Sequence, residues 1–201
     1  GNYDPTHWKP MEKSLSNPFK STVNLIEIGL LILLVFSGLM LAAAPLLNPA
    51  GVSNQNSAVL VPWLVGFFYF ICSVWIFGNY RSLPAARTYT LLTLCISLAL
   101  ATWNKPTGSV FSTAVWTFGI IFGTSTMVLL AFRLFPTQSG MPTRRTFILS
   151  GVIASIAWLA VFLFFIFITD PEAIRFVTLL LITLAGLSMV FFLSWVGIFA
   201  L

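Results

Sequence analysis

Residues 176–201 read FVTLLLITLAGLSMVFFLSWVGIFAL and contain no charged side chain. A helix needs about 20 mostly apolar residues to cross the roughly 30 Å hydrocarbon core of a bilayer. This run exceeds that length, and it is apolar throughout rather than at alternate positions. It therefore predicts a transmembrane helix and not a strand of a transmembrane barrel.

Five further apolar runs precede this one, and they are Thr22–Leu47, Ala58–Tyr80, Thr88–Trp103, Val110–Phe132 and Phe147–Thr169. Four of them exceed the spanning length comfortably, and the third lies at or just under the lower limit of about 17 residues. The chain is 58% hydrophobic and 7% charged, whereas soluble domains carry about 25% charged residues. We therefore predict an all-α polytopic integral membrane protein. A bundle of six transmembrane helices occupies residues 22–201, and a polar tail with prolines and aromatic residues occupies 1–21.

Two prolines are well placed to begin helices. Pro84 lies in the connection between the second and third helices and is expected to begin the third helix. Pro171 is expected at the first position of the sixth helix, with Asp170 as its N-cap and Glu172 in its first turn.

The basic residues indicate the orientation of the bundle. Only Lys105 and Arg175 fall on one side of a six-span topology. The other eight of the 10 basic residues fall on the opposite side, and they are Lys9, Lys13, Lys20, Arg81, Arg87, Arg133, Arg144 and Arg145. An excess of Lys and Arg marks the cytoplasmic side, so both termini are predicted to be cytoplasmic. We therefore attribute the net charge of +5 to the orientation of the bundle and to contact with anionic membrane lipids. The placement of the basic residues argues against nucleic acid as a partner.

The sequence offers no recognisable catalytic set. The single histidine, His7, lies in the tail, and Cys72 and Cys95 lie in predicted helices, where both are expected to be small buried side chains. No cluster of His, Cys and carboxylate residues has metal-ligand spacing, and no glycine-rich phosphate loop occurs. We therefore predict that the chain is not an enzyme, with no catalytic residue and no metal site. No cofactor is predicted and cofactor-binding residues are unknown, although a bound lipid, quinone or pigment could use the many aromatic side chains.

Glu27 is the one acidic residue inside a predicted span. A charged acid costs about 2.5–3.5 kcal/mol at the centre of a membrane helix and less near its end. Glu27 is therefore expected to face the bundle near the cytoplasmic surface, with Arg133 and Asn24 as the first candidates to meet its charge. A structural pair is favoured over a proton or cation site, because no second acid or histidine accompanies Glu27 in the spans.

Two helices carry faces of small or hydroxylated residues. Gly119-x-x-x-Gly123 lies on the fourth helix, and Thr90, Thr93 and Ser97 form a stripe on the third. Small residues at this spacing let helix backbones approach closely. Packing within the bundle is the favoured interpretation, and contact with another subunit remains the alternative.

The stretch FGNYRSLPAARTYTLLTLCISLALATW (77–103), followed by LLAFRLFPTQSGMPTRR (129–145), resembles the multi-spanning membrane sensor modules of bacterial signalling proteins. The resemblance covers about residues 70–145, and the matching residues are Arg81, Pro84, Ala85, Ala86, Arg87, Phe135, Pro136, Arg144 and Arg145. In that family the module precedes a histidine kinase, serine phosphatase or cyclase domain. The resemblance implies a bacterial cytoplasmic (inner) membrane and a sensory role. We expect no such output domain within these 201 residues.

Three classes of function follow. The first is a non-catalytic integral-membrane subunit that packs against partner proteins, with lipid or lipid-like cofactors, in a larger membrane complex. The second is a sensory input module, as the resemblance implies. The third is a small-solute carrier or substrate-binding transport subunit, which fits six spans and short loops but lacks a polar site at the membrane midplane.

Overall fold

A computed structural model describes residues 18–47, 57–103, 109–134 and 144–200, with side chains over 25–43, 60–103, 109–134 and 145–198. The described residues form six α-helices and no strand: α1 (Pro18–Leu47), α2 (Ser57–Tyr80), α3 (Pro84–Ala101), α4 (Val110–Leu134), α5 (Arg144–Phe167) and α6 (Pro171–Ala200). Each is long and apolar enough to cross a membrane. The predicted all-α architecture of six such helices is confirmed. The predicted tail over 1–21 falls mostly outside the described residues, and α1 already begins at Pro18.

Both predicted proline starts are confirmed. Pro84 begins α3 after Leu83, whose backbone is extended at φ −84° and ψ 128°. Pro171 begins α6, and Asp170 Oδ1 accepts a hydrogen bond from the Glu172 N–H at 3.1 Å. Short connections precede both helices, at 81–83 and 168–170, and the first makes α2 and α3 packed antiparallel neighbours.

The central pair of the bundle is α3 and α4, which are packed against each other. α1 and α2 pack on α3, while α5 and α6 pack on α4 and make few or no close contacts with each other. Half of the span residues of α3 and of α4 are buried, whereas only 6% are buried in α5 and 11% in α6. The outer helices therefore present broad apolar faces to their surroundings.

Gly119 explains how closely α3 and α4 approach. A Cβ at this position would lie 2.7 Å from the carbonyl oxygen of Cys95 and 2.9 Å from the nitrogen of Ala99, both backbone atoms of α3. Only glycine fits such a contact. At Gly123 a Cβ would meet the Cys95 Cβ at an ordinary 3.5 Å. The predicted packing of this motif within the bundle is confirmed.

Hydroxyl groups and indole nitrogens join neighbouring helices inside the bundle. Ser73 Oγ of α2 donates to Thr93 Oγ1 of α3 at 2.6 Å, and Trp63 Nε1 of α2 donates to the Leu41 carbonyl of α1 at 3.0 Å. Trp158 Nε1 of α5 donates to the carbonyl of α4 residue Ala114 at 3.1 Å. The predicted role of the Thr90/Thr93/Ser97 stripe as a helix-contact face is confirmed, since all three side chains are buried.

Candidate functional site

Charged residues from three helices and one turn lie at one end of the bundle. Glu27 lies in the first half of α1, Arg81 in the turn between α2 and α3, Arg87 in the first turn of α3, and Arg133 in the last turn of α4. We call this region, defined by Glu27, Arg81, Arg87 and Arg133, the arginine end. The antiparallel order of the helices brings these residues together, because each lies where its helix begins or ends on the same side.

Glu27 pairs with Arg87. Arg87 Nη2 donates to Glu27 Oε1 at 2.8 Å, and the two side chains are 16% (Arg87) and 27% (Glu27) exposed. Arg87 Nε also donates to the Arg81 carbonyl at 2.5 Å, which fixes the guanidinium against the turn. The prediction that a cation meets Glu27 at the bundle side of α1 is confirmed.

The predicted identity of that cation, Arg133, is wrong. α1 packs mainly against α3 and α2. Its aromatic contact with α4, between Phe36 and Phe111, lies farther along α1 and at the opposite end of α4 from Arg133. The cation within reach of Glu27 is therefore the one on α3. Arg87 and Arg133 lie at similar depths, measured along their helices from the arginine end. The sequence contains no other information that distinguishes them as partners of Glu27. Asn24, the other predicted partner, lies outside the residues whose side chains are described.

Arg133 instead ties α4 to α3 and α5. Its Nη1 donates to the Pro84 carbonyl at 2.8 Å and to Thr88 Oγ1 at 2.6 Å. Its guanidinium carbon lies 4.9 Å from the centroid of the Phe147 ring, in the geometry of a cation–π contact. All three partners are uncharged, so the positive charge of Arg133 is held without a carboxylate among the described side chains.

An open apolar groove lies beside the arginine end. It occupies about 250 Å³ across the face of α3, between α2 and α4. Its walls are Ile76, Tyr80, Leu83, Ala85, Ala86, Tyr89, Leu130 and Leu134. Ala85 and Ala86 are the small residues among these walls.

Metal-ligating side chains and thiols are few among the described residues. These residues contain no group of three or more His, Cys, Asp and Glu side chains that could hold a metal ion. Cys72 is half-buried, Cys95 is buried, and both are free thiols. Among the described groups, the chemically distinctive ones are the arginines, which can hold helices together and can receive an anion.

Comparisons of the chain with protein-family models, with curated proteins and with solved structures gave no match. What the chain does is therefore inferred from its own residues and geometry.

Proposed function

We propose that the chain is a non-catalytic integral-membrane subunit that packs against other protein subunits, and against lipids, in a larger complex of a bacterial cytoplasmic membrane. Both termini face the cytoplasm in this proposal. One observation carries it: over residues 183–197, the face of α6 that points away from the bundle is lined by small and β-branched residues rather than by large ones.

Two opposite faces of α6 can be distinguished by burial. The inner face includes the buried residues Leu181 and Ser188, and Ser188 Oγ lies 3.7 Å from Met127 Sδ of α4. Nearer the start of the helix the opposite face carries the large exposed residues Phe176 and Leu179. Over residues 183–197 it consists of Thr183, Gly186, Val190, Ser194 and Gly197, all exposed. At 100° per residue these five positions fall within about one quarter of the helix circumference. We call them the α6 outer stripe.

The α6 outer stripe has the composition of a helix–helix contact. A Cβ at Gly186 or Gly197 would meet nothing within 4 Å, so neither glycine is required by packing inside the chain. Small residues at this spacing let a second backbone approach closely, whereas lipid chains gain nothing from them. Within the chain Gly119 already serves this purpose between α3 and α4, and the α6 outer stripe offers the same kind of surface outward.

The outer face of α5 differs and provides a contrast. Its exposed residues include Val152, Ile156, Leu159 and Leu163, which are large and apolar, as is usual where a helix faces lipid. Contact with lipid therefore explains the exposed apolar residues of α5. Contact with lipid does not explain the small residues of the α6 outer stripe.

The arginine end supports the proposed orientation. Arg81, Arg87 and Arg133 lie together at one end of the bundle, where an excess of basic residues marks the cytoplasmic side. Arg175, at the start of α6, lies at the other end. This distribution supports cytoplasmic termini in a chain with six spans.

The test is purification in a mild detergent, followed by mass spectrometry of what co-migrates. The proposal expects a stoichiometric complex with other membrane subunits. A chain that purifies alone under gentle conditions contradicts it.

Matched glycine variants locate the contact. Gly186→Leu should release the partner, because the added side chain would hold the second backbone away from the α6 outer stripe. Gly29→Leu is the control, since a Cβ at Gly29 also meets nothing within 4 Å but its neighbours on α1, Leu25 and Ile32, are large and exposed. Loss of the complex in both variants, or in neither, would remove α6 as the contact.

A second candidate, the sensory input module, is favoured by one observation. Three of the residues that carry the resemblance to sensor modules, Arg81, Pro84 and Arg87, accept or donate the hydrogen bonds that join α1, α3 and α4 at the arginine end. A cytoplasmic kinase-like partner in the same purification would support this role. An energising ATPase would support the carrier role instead.

A further inference from the structure

We propose that the groove beside the arginine end binds one acyl chain of an anionic phospholipid, whose headgroup phosphate is held by Arg81 at the mouth of the groove. This inference rests on the membrane location proposed above but not on any protein partner.

The walls of the groove fit a hydrocarbon chain. Tyr80 and Leu83 form the end nearest the α2–α3 turn, and Ile76 lies one helical turn further into the span. The groove thus runs from the end of the bundle inward, in the direction that a lipid chain takes from its headgroup. Its volume of about 250 Å³ is below the 300–1,000 Å³ of ordinary small-molecule sites, and it is open along its side. It therefore suits part of one chain better than an enclosed solute.

The charges at the mouth select an anionic headgroup. Arg81 lies in the turn between two wall residues, Tyr80 and Leu83, and its side chain is exposed. Glu27 is the only acidic side chain described at this end, and it is already engaged by Arg87. Positive charge therefore remains without a carboxylate at Arg81, and a phosphate with one net negative charge would neutralise it.

Arg133 also contributes positive charge near the mouth of the groove, although its side chain is held in place by hydrogen bonds. It comes from the same turn of α4 as Leu130 and Leu134, two further wall residues. Its hydrogen bonds to the Pro84 carbonyl and to Thr88 fix it between α3 and α4. Because the partners of Arg133 are neutral, its positive charge raises the electrostatic potential at the mouth of the groove. Arg81 makes the direct contact with the headgroup phosphate.

The experiment measures lipid binding to the detergent-purified chain by native mass spectrometry. The chain is first shown to stay in membranes after a carbonate wash, because release by carbonate would overturn both the membrane location and this inference. It is then titrated with phosphatidylglycerol or with phosphatidylcholine of the same acyl chains. The first phosphatidylglycerol molecule should bind about fivefold more tightly than the first phosphatidylcholine molecule. This ratio corresponds to the attraction of one surface arginine for an anionic lipid. Equal affinity for the two lipids would overturn the inference.

Two variants and two matched controls assign the site. Arg81→Gln should remove the preference for phosphatidylglycerol, and Ala85→Leu, which fills the groove, should weaken binding of the first lipid of either kind. Arg175→Gln, at the other end of the bundle, and Ala160→Leu, on the exposed face of α5, should change neither property. An unchanged thermal midpoint in detergent shows that Ala85→Leu still folds. A preference for phosphatidylglycerol that survives Arg81→Gln, or binding of the first lipid that Ala85→Leu leaves unchanged, would place the lipid elsewhere and overturn the proposal.

One competing occupant is the chain's own segment 135–143, which follows the wall residue Leu134. A disulfide that forms readily between Leu83→Cys and Gln138→Cys in lipid-free protein, and that still forms at saturating phosphatidylglycerol, would show that this segment fills the groove. That result would overturn the lipid site. Loss of the disulfide as phosphatidylglycerol is added would support it.

Discussion

The ion pair between Glu27 and Arg87 should stabilise the bundle by a measurable amount, and Glu27→Gln is the change that tests it. Removing one partner from a fully buried pair costs about 3–5 kcal/mol, whereas exposed pairs contribute about 0–1 kcal/mol. The side chains here are 16% and 27% exposed, which places the pair between these limits.

Two features of the site reduce the expected loss. A glutamine at position 27 can still accept a hydrogen bond from Arg87, so a charge-assisted bond becomes a neutral one rather than none. Arg87 also keeps its bond to the Arg81 carbonyl. We therefore expect Glu27→Gln to lower the free energy of unfolding by about 1–2 kcal/mol, a change of about 5- to 30-fold in the folded-to-unfolded ratio.

The assay is a double-mutant cycle by detergent-denaturant titration of the purified chain, with Glu27→Gln, Arg87→Gln and the double variant. The coupling energy should be about 1–2 kcal/mol, because contacting residues are not additive. A second cycle pairs Glu27→Gln with Arg133→Gln, which does not contact Glu27, and should give a coupling near zero. Coupling to Arg133 in place of Arg87 would refute the packing of α1 on α3. If Glu27→Gln leaves stability intact but removes an ion-dependent activity, the structural role of the pair is wrong and a transport role replaces it.

Three further outcomes are expected. Gly119→Ala should lower the free energy of unfolding by about 1–3 kcal/mol, since the added Cβ would press on backbone atoms of α3 at 2.7–2.9 Å. The matched variant Gly123→Ala should be close to neutral. Equal effects of the two variants would contradict the close approach of α3 and α4. Ser73→Ala should cost about 0.6 kcal/mol, the average for a hydrogen bond between membrane helices, in the same titration; no loss would mean that the buried bond to α3 contributes nothing. Cysteines placed at Asn54 and Ser139 should be labelled by an impermeant thiol reagent from opposite sides of the membrane, and labelling of both from one side would contradict the six-span topology.

The positions of the helices follow from the sequence because length and apolarity determine them directly. The exception is instructive. The apolar run of the third helix, Thr88–Trp103, lies at the limit of the spanning length, whereas Pro84 predicts a start four residues earlier. The helix begins at Pro84, as predicted, and so includes Arg87, whose charge is neutralised by Glu27. A cation that has a partner on another helix does not end a span.

The partners of these residues could not be predicted in the same way. Arg87 and Arg133 lie at similar depth, and the choice between them depends on whether α1 is next to α3 or to α4. That neighbour relation is a property of the whole bundle and leaves no local signal. The groove has no local signal either, since its walls come from three helices and the turn between two of them. The one indication in the sequence is the pair of small residues Ala85 and Ala86 at the start of α3.

The central claim is that the α6 outer stripe contacts another protein within the membrane. Photo-cross-linking tests it most directly, with a benzophenone amino acid placed at Gly186 or at the control position Gly29 and irradiated in intact cells. One discrete adduct of higher mass is expected from position 186 and none from position 29. No protein adduct from 186, or the same adducts from both positions, would show that lipid covers α6 and would contradict a role as a packing subunit.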